Sequence, residues 1–436
     1  MSAFLSTLRR RRASRASWPN RGLALALAGG GALLGWWLPH AERSHHLGGL
    51  SYDPSAAQAT LGAIAAGVIT LTGFVLTAVT LVVQSVQNMS PRLVGVLGYF
   101  ERSLTLFGAL TGTAVYALVV LAQTNDHNVP RLSVTLAIVF VVLSTAAILR
   151  TLAELRQVVT GGGLVRVVAD QLNHAIDRTP PQPEHPQPIT GAPPTPPTAH
   201  TEITAPRAGV IQHIDGPAIA ATAALRRLHI TCLVAVGSFI EPGTPLLRIT
   251  PAAPSAADTR RLNRAIRLGP SRRLDDDPAY GLRLLVDVAI RALSPAVNDP
   301  TTAVQALDQI ESALLRIATR PLGTATYHDH DGIPRLTIPR PDWTTLLDLA
   351  LTEILHYGAD ALQIHRRMRA LLNTLTHACP PPRAAALTPY RTTLDRTART
   401  LQDPTLITTA TIPDPQGLGG PHPHNDTRPT TDPTGH

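Results

Sequence analysis

The chain of 436 residues is 44% hydrophobic, 16% charged and only 4% aromatic, with a formal charge of +8. Its mean hydropathy of +0.08 is high for a protein bathed wholly in water. All 38 basic residues are arginine, which excludes a phosphate-loop lysine, a pyridoxal Schiff base and a biotinylated or lipoylated lysine; two cysteines, Cys232 and Cys379, are too few for a disulfide framework or a multi-cysteine zinc site.

Residues 1–21 carry six arginines and no acid. Four apolar stretches follow, at roughly 22–38, 59–86, 103–122 and 132–149, and none contains Asp, Glu, Arg or His. A helix rises about 1.5 Å per residue, so ~18–20 residues cross a hydrocarbon core of about 30 Å. A soluble core helix would show a charged face at helical spacing, and these do not. The basic start resembles a secretory signal. However, Trp36-Trp37-Leu38-Pro39 stands where a small-residue cleavage site belongs, so the first stretch is read as a retained span. The loops at 41–57, 88–102 and 123–131 hold one, two and one arginine, and Arg150, Arg156 and Arg166 follow the fourth span. The positive-inside rule then places both termini in the cytoplasm of a multi-pass plasma-membrane protein.

The spans lack the mid-membrane ionisable group of a proton-relay transporter or a voltage sensor. Span two instead has a polar stripe. Thr70, Thr77 and Gln84 recur at seven residues beside Gly73, Thr80 and Gln87, which puts both rows on one helical face. Such a face either glues helices together or lines a hydroxyl- and amide-bearing pathway where copies of span two meet. Gly31-x-x-x-Gly35 and Gly108-x-x-x-Gly112 offer close-approach faces on spans one and three.

The fourth helix is expected to continue into the cytoplasm and stop near Gly161-Gly162-Gly163. Nine prolines in 179–201 predict an extended linker. Residues 202–252 read as a small β module, with Ala205-Pro206-Arg207-Ala208-Gly209-Val210 in one half and Val236-Gly237…Glu241-Pro242-Gly243 in the other. It resembles a barrel-sandwich module of the biotinyl or lipoyl type over about fifty residues. No lysine occupies a hairpin tip, so the resemblance implies an assembly or docking element.

Helices follow. Asp277-Pro278 and Asp299-Pro300 are cap-plus-proline starts for helices over about 279–293 and from 300 onward. Residues 342–377 predict one long helix, with a heptad seam of Ala350, Ile354, Tyr357, Ala361, Ile364, Met368, Leu371 and Leu375. One more helix is expected before 401. From about Gln402 the Thr-, Pro-, Gly- and His-rich tail is expected to be disordered.

The run Tyr280-Gly281-Leu282-Arg283-Leu284-Leu285-Val286-Asp287-Val288-Ala289-Ile290-Arg291-Ala292-Leu293-Ser294-Pro295-Ala296-Val297-Asn298-Asp299-Pro300-Thr301-Thr302-Ala303 resembles the signature of a bacterial predicted-membrane-protein family, domain of unknown function 2254. Ser90-Pro91-Arg92 after span two is similar to that family as well, as is the order of spans, β module and helices over roughly 55–375. The resemblance implies a multi-pass membrane protein and carries over no catalytic residue.

The expected fold is an α-helical membrane region of four spans plus a cytoplasmic α+β domain with a small β module and a helical bundle. Its segments are a basic N-terminus at 1–21, spans and their extension at 22–156, the linker at 157–201, the β module at 202–252, the helical domain at 253–401 and the tail at 402–436. Asp287, Arg291, Asn298 and Asp299 form a candidate cytoplasmic site, although an ion-pair ladder and a capped turn account for each of them. His328-Asp329-His330-Asp331 reads as a solvated turn rather than a metal site, and His45-His46, His422 and His424 are weaker still. No nucleophile-elbow, zinc-protease or dinucleotide fingerprint appears, and no cofactor is expected.

The leading expectation is an oligomeric channel-like or transport-associated protein. Thr70, Thr77, Thr80, Gln84 and Gln87 would line its pathway, with the bilayer and further copies of itself as partners and no nucleic acid. The alternative is a membrane-anchored scaffold or sensor whose cytoplasmic domain binds a partner or ligand.

Overall fold

The computed structural model describes residues 17–45, 51–89, 92–93, 99–125, 129–159, 162–178, 200–251 and 254–419. The Ser90-Pro91 pair, most of the proline-rich linker, His46, His422 and His424 lie outside the described residues. The chain divides into two compact units, Met1–Gly163 and Leu164–His436.

The first unit holds four helices, α1 (Ser17–His45), α2 (Pro54–Met89), α3 (Tyr99–Gln123) and α4 (Arg131–Val159). Each contains a window long and apolar enough to cross a membrane. At 36 residues, α2 measures about 54 Å, well beyond a hydrocarbon core of about 30 Å. Helix α3 is the hub, with half of its apolar window buried. Its glycines fix how closely α1 approaches. A Cβ on Gly31 would lie 2.1 Å from the Gly112 carbonyl oxygen, and one on Gly108 would lie 2.5 Å from that of Ala24. The two small-residue pairs of the sequence therefore face each other, backbone on backbone. Several polar groups inside the unit are paired, although the Gln123 side-chain oxygen is buried without a partner. The Tyr116 hydroxyl donates to the Ser133 carbonyl at 3.0 Å, and the Gln123 amide donates to that of Gly35 at 2.8 Å. Glu42 accepts from the Leu132 backbone N–H at 2.7 Å, which caps α4.

The second unit begins with α5 (Gly163–Arg178), whose Leu172 packs where Gly281 leaves room for it. Its β layer contains β1 (Thr201–Thr204), β2 (Gly209–Ile214), β3 (His229–Cys232), β4 (Phe239–Ile240) and β5 (Pro245–Thr250). These strands are completed by β6 (Ile266–Gly269), β7 (Ala325–His328) and β8 (Pro334–Ile338), all beyond the stretch expected to be the β module. One sheet runs β1-β5-β3-β8-β7 and the other β4-β2-β6. Every pairing is antiparallel except β3 with β8, where Ile230 lies opposite Leu336. Ile211, Ile230, Leu247, Ile249 and Leu336 are buried in their shared core. Two helices that the sequence did not predict flank the strands, α6 (Gly216–Leu225), capped by Asp215, and α7 (Ala256–Ala265), capped by Ser255.

Helices α8 (Pro278–Ala292) and α9 (Pro300–Ala318) start as the sequence predicts, on caps from Asp277 and Asp299. The expected long helix over 342–377 is broken. Helix α10 (Trp343–Leu347) passes through a π turn (Asp348–Thr352) into α11 (Glu353–Tyr357), and α12 (Leu362–Ala378) begins anew. Gly358 allows the break, because Ile364 packs where its Cβ would be, 2.6 Å away. Tyr357, placed on the heptad seam by the sequence, is exposed. Two short helices follow, α13 (Pro381–Ala385) and α14 (Thr388–Ala398).

The tail also corrects the sequence reading. Residues 402–419 contain α15 (Pro404–Ala410) and a loop around the buried Asp414. The reason lies in α12, where Arg366, Arg367 and Arg369 are all buried. Arg366 donates to the carbonyls of Ile412 and Gly419, and Arg369 to that of Ala410. The tail has little apolar surface to bury, but its carbonyl oxygens supply acceptors that buried guanidinium groups require.

Candidate functional site

Two regions hold the residues that the sequence singled out. The first is the face of α2. Buried Ala57, Leu61, Ala65, Val68, Val75, Val79 and Val86 turn one side of this helix toward α3 and α4. Thr70, Gly73, Thr77, Thr80, Gln84 and Gln87 are all exposed on the other side. The structure thus brings the whole stripe together and leaves it uncovered by the described residues. The hydroxyls donate back to the carbonyls four residues earlier, Thr70 to Ala66 at 2.9 Å, Thr77 to Gly73 at 3.0 Å and Thr80 to Leu76 at 2.8 Å. Their protons are committed, so what they present outward is oxygen lone pairs. Gln84 and Gln87 make no hydrogen bond to another described residue. Exposed Phe74, Leu76 and Leu81 flank the stripe with apolar surface.

The second region is the α8–α9 corner. Asp287 is buried in the middle of α8, its carboxylate 2.7 Å from Arg283 one turn earlier. Arg283 also grips Glu353 of α11 with both terminal nitrogens. Hydrogen bonding to Glu353, followed by the charge of Asp287, pushes the Arg283 guanidinium further up. Arg291, the expected far rung of the ladder, is exposed. Asn298 takes a left-handed φ of 48°, a conformation that asparagine tolerates better than most side chains. The Asp299 N–H returns to the Ala292 carbonyl at 2.8 Å, while its carboxylate caps α9 through the Thr302 N–H at 3.1 Å and the Thr302 hydroxyl. The four residues therefore serve separate tasks: Asp287 in an ion pair, Asp299 in a cap, Asn298 in the turn and Arg291 at the surface. The partner missed by sequence reasoning is Glu353, seventy positions from Arg283, and no local pattern announces it.

His328-Asp329-His330-Asp331 forms the β7–β8 hairpin. The Asp329 carboxylate accepts from the Asp331 and Ile333 backbone N–H groups, at 3.0 and 2.9 Å, and from Arg335 at 2.7 Å. The Arg335 guanidinium holds that carboxyl below its usual range. Its acceptor capacity goes into the turn. Among the described residues no group of three or more His, Cys, Asp or Glu side chains is placed to hold a metal ion.

The chain matches the family described as "Predicted membrane protein (DUF2254)" over residues 15–374. It is similar to uncharacterised proteins of Mycobacterium bovis and Mycobacterium tuberculosis strain H37Rv, at 27% identity over 343 residues in each case. That match covers 76% of this chain, and the chain spans 65% of the length of these curated relatives. No solved structure matches the chain.

Proposed function

Because the chain belongs to the predicted membrane protein family DUF2254, we propose that its four apolar helices span the plasma membrane and that several copies assemble through α2 into a channel-like or transport-associated oligomer. In this reading both termini lie in the cytoplasm, the side that the arginine distribution favours, and the second unit is the cytoplasmic assembly or regulatory domain.

The observation that carries the reading is the orientation of the stripe. Five polar side chains, two of them primary amides, lie on the outside of the four-helix unit with no cover from the described residues. An amide facing hydrocarbon without a partner costs several kcal/mol, on the order of 2–7 each. A second copy or a water-filled path satisfies Gln84 and Gln87 at any depth, whereas lipid satisfies them only at its headgroups. Assembly around the stripe supplies both, and it sets Thr70, Thr77, Thr80, Gln84 and Gln87 along the axis where the copies meet.

Cysteine crosslinking tests the assembly. Cys232 and Cys379 are buried, so Thr77→Cys and Gln84→Cys introduce the reactive thiols. The expected result is a disulfide-linked dimer band in native membranes, absent for Val142→Cys on the exposed surface of α4. Solute flux from liposomes containing the purified protein should exceed that from empty vesicles and fall for Gln84→Leu. A monomer without flux would favour the other reading, in which the spans only anchor a partner-binding scaffold or sensor.

A further inference from the structure

Two stretches of the chain are strongly basic, the first 21 residues and a second one in the other unit. Between 225 and 273 there are nine arginines against two acids, Glu241 and Asp258. The structure gathers five of them at one surface. Helix α7 buries Asp258, Leu262 and Ala265 and leaves Arg260, Arg261 and Arg264 exposed. Helix α6 packs on α7 and ends in Leu225-Arg226-Arg227, where Arg226 reaches Asp258 at 3.1 Å and fixes that end beside the first turn of α7. Arg227, Arg260, Arg261 and Arg264 have no ion pair with a described residue, and the apolar Leu225 stands 70% exposed next to them.

We infer that this surface, the C-terminal end of α6 with the outer face of α7, docks on an anionic lipid surface. Four unpaired guanidinium groups around an exposed leucine match a membrane interface, where phosphates accept bidentate hydrogen bonds and an apolar side chain enters the headgroup boundary. The chain is already tethered to a bilayer by its own helices, so the local concentration of headgroups is high without any added affinity. The inference rests on the cytoplasmic placement of the second unit proposed above, since that leaflet carries the anionic lipids. A single-stranded nucleic acid fits less well. It calls for aromatic side chains interleaved with the basic ones, and Phe239 is the sole Phe, Tyr or Trp between 215 and 273.

The test uses the full chain in nanodiscs with a fluorophore on Leu225→Cys, the native thiols being buried. Quenching by brominated lipid is compared between phosphatidylcholine discs and discs that also contain phosphatidylglycerol. Quenching should be about tenfold stronger with the anionic lipid. It should be lost when salt is raised from about 0.1 to about 1 M, which shortens the Debye length from roughly 10 to roughly 3 Å. Replacing Arg260, Arg261 and Arg264 by glutamine should also abolish it. Equal quenching in both discs overturns the inference. So does protection of the probe by single-stranded RNA without any lipid dependence, which would assign the surface to nucleic acid. Flux does not enter the readout, so a failed channel reading leaves this result interpretable.

Discussion

Gly30 and Gly31 are adjacent on α1, and alanine should act on them in opposite directions. Nothing lies within 4 Å of a Cβ at Gly30, whereas one at Gly31 would sit 2.1 Å from the Gly112 oxygen and 2.7 Å from its carbonyl carbon. Both substitutions gain the same helix propensity, about 1 kcal/mol over glycine. That term cancels in the comparison and leaves the clash. The contact is roughly 1.4 Å shorter than an optimal carbon contact of about 3.5 Å. The obstructing atoms are backbone, so no rotamer change relieves it and α1 must move off α3. Overpacking of this kind costs about 1–3 kcal/mol. Gly30→Ala should be neutral to stabilising and Gly31→Ala destabilising relative to it, with the pair separated by about 1–3 kcal/mol. At roughly 2–4 °C per kcal/mol for a unit of this size, the melting temperatures in detergent should differ by about 2–12 °C. Far-UV circular dichroism during a thermal scan measures it. If Gly31→Ala melts with or above Gly30→Ala, the backbone contact between α1 and α3 does not exist as described.

Arg367 of α12 is buried and bridges Asp308 at 2.7 Å and Glu311 of α9. Arg367→Met keeps the packing of the stem but strands the carboxylates, and should cost about 3–5 kcal/mol in denaturant titration, against less than about 0.5 for the exposed Arg261→Gln. Asp277 caps α8 through the Tyr280 N–H, yet burial raises its carboxyl above the ordinary 3.8 and one oxygen has no partner. The folded state binds this proton more tightly than the unfolded one, so stability declines as pH climbs from 3.8 through the raised value. Asp277→Asn caps equally well and should be more stable than the parent at pH 7, a gain that disappears in acid melts. Burial depresses the His365 imidazole below 6.5, and its Nε2 is 2.7 Å from the Ala359 carbonyl in the break between α11 and α12. Below pH 6.5 the unfolded chain gains a proton that the folded one resists, so stability should drop there, and His365→Gln should flatten that part of the pH profile.

The membrane helices were legible because their signal is composition over twenty residues, which no loop or soluble helix imitates. The caps at Asp277 and Asp299 were equally plain, since cap and proline stand next to each other. What escaped was non-local or patternless. Helix α6 is apolar on every side and shows no helical period. Strands β6, β7 and β8 are four or five residues long, and they are strands because partners elsewhere in the chain pair with them. The break at Gly358 follows from Ile364 folding back onto it, whereas the heptad spacing alone extends straight through. The polar stripe of α2 was visible as a face in the sequence, and its outward orientation needed the positions of α3 and α4. For the α8–α9 corner the residues were found but the grouping was not, because Glu353 completes the Arg283 contact from a distant helix.

The parallel pairing of β3 with β8 reaches beyond architecture. Ile230 and Leu336 are separated by more than one hundred positions, with α7, α8 and α9 between them. At about 5–20 residues per second a ribosome emits β3 on the order of ten seconds before β8 exists. Through that interval β3 has β5 on one side and bare backbone donors and acceptors on the other. During biosynthesis the nascent polypeptide therefore exposes a sticky margin, and a premature stop codon anywhere in α8 or α9 would make that condition permanent.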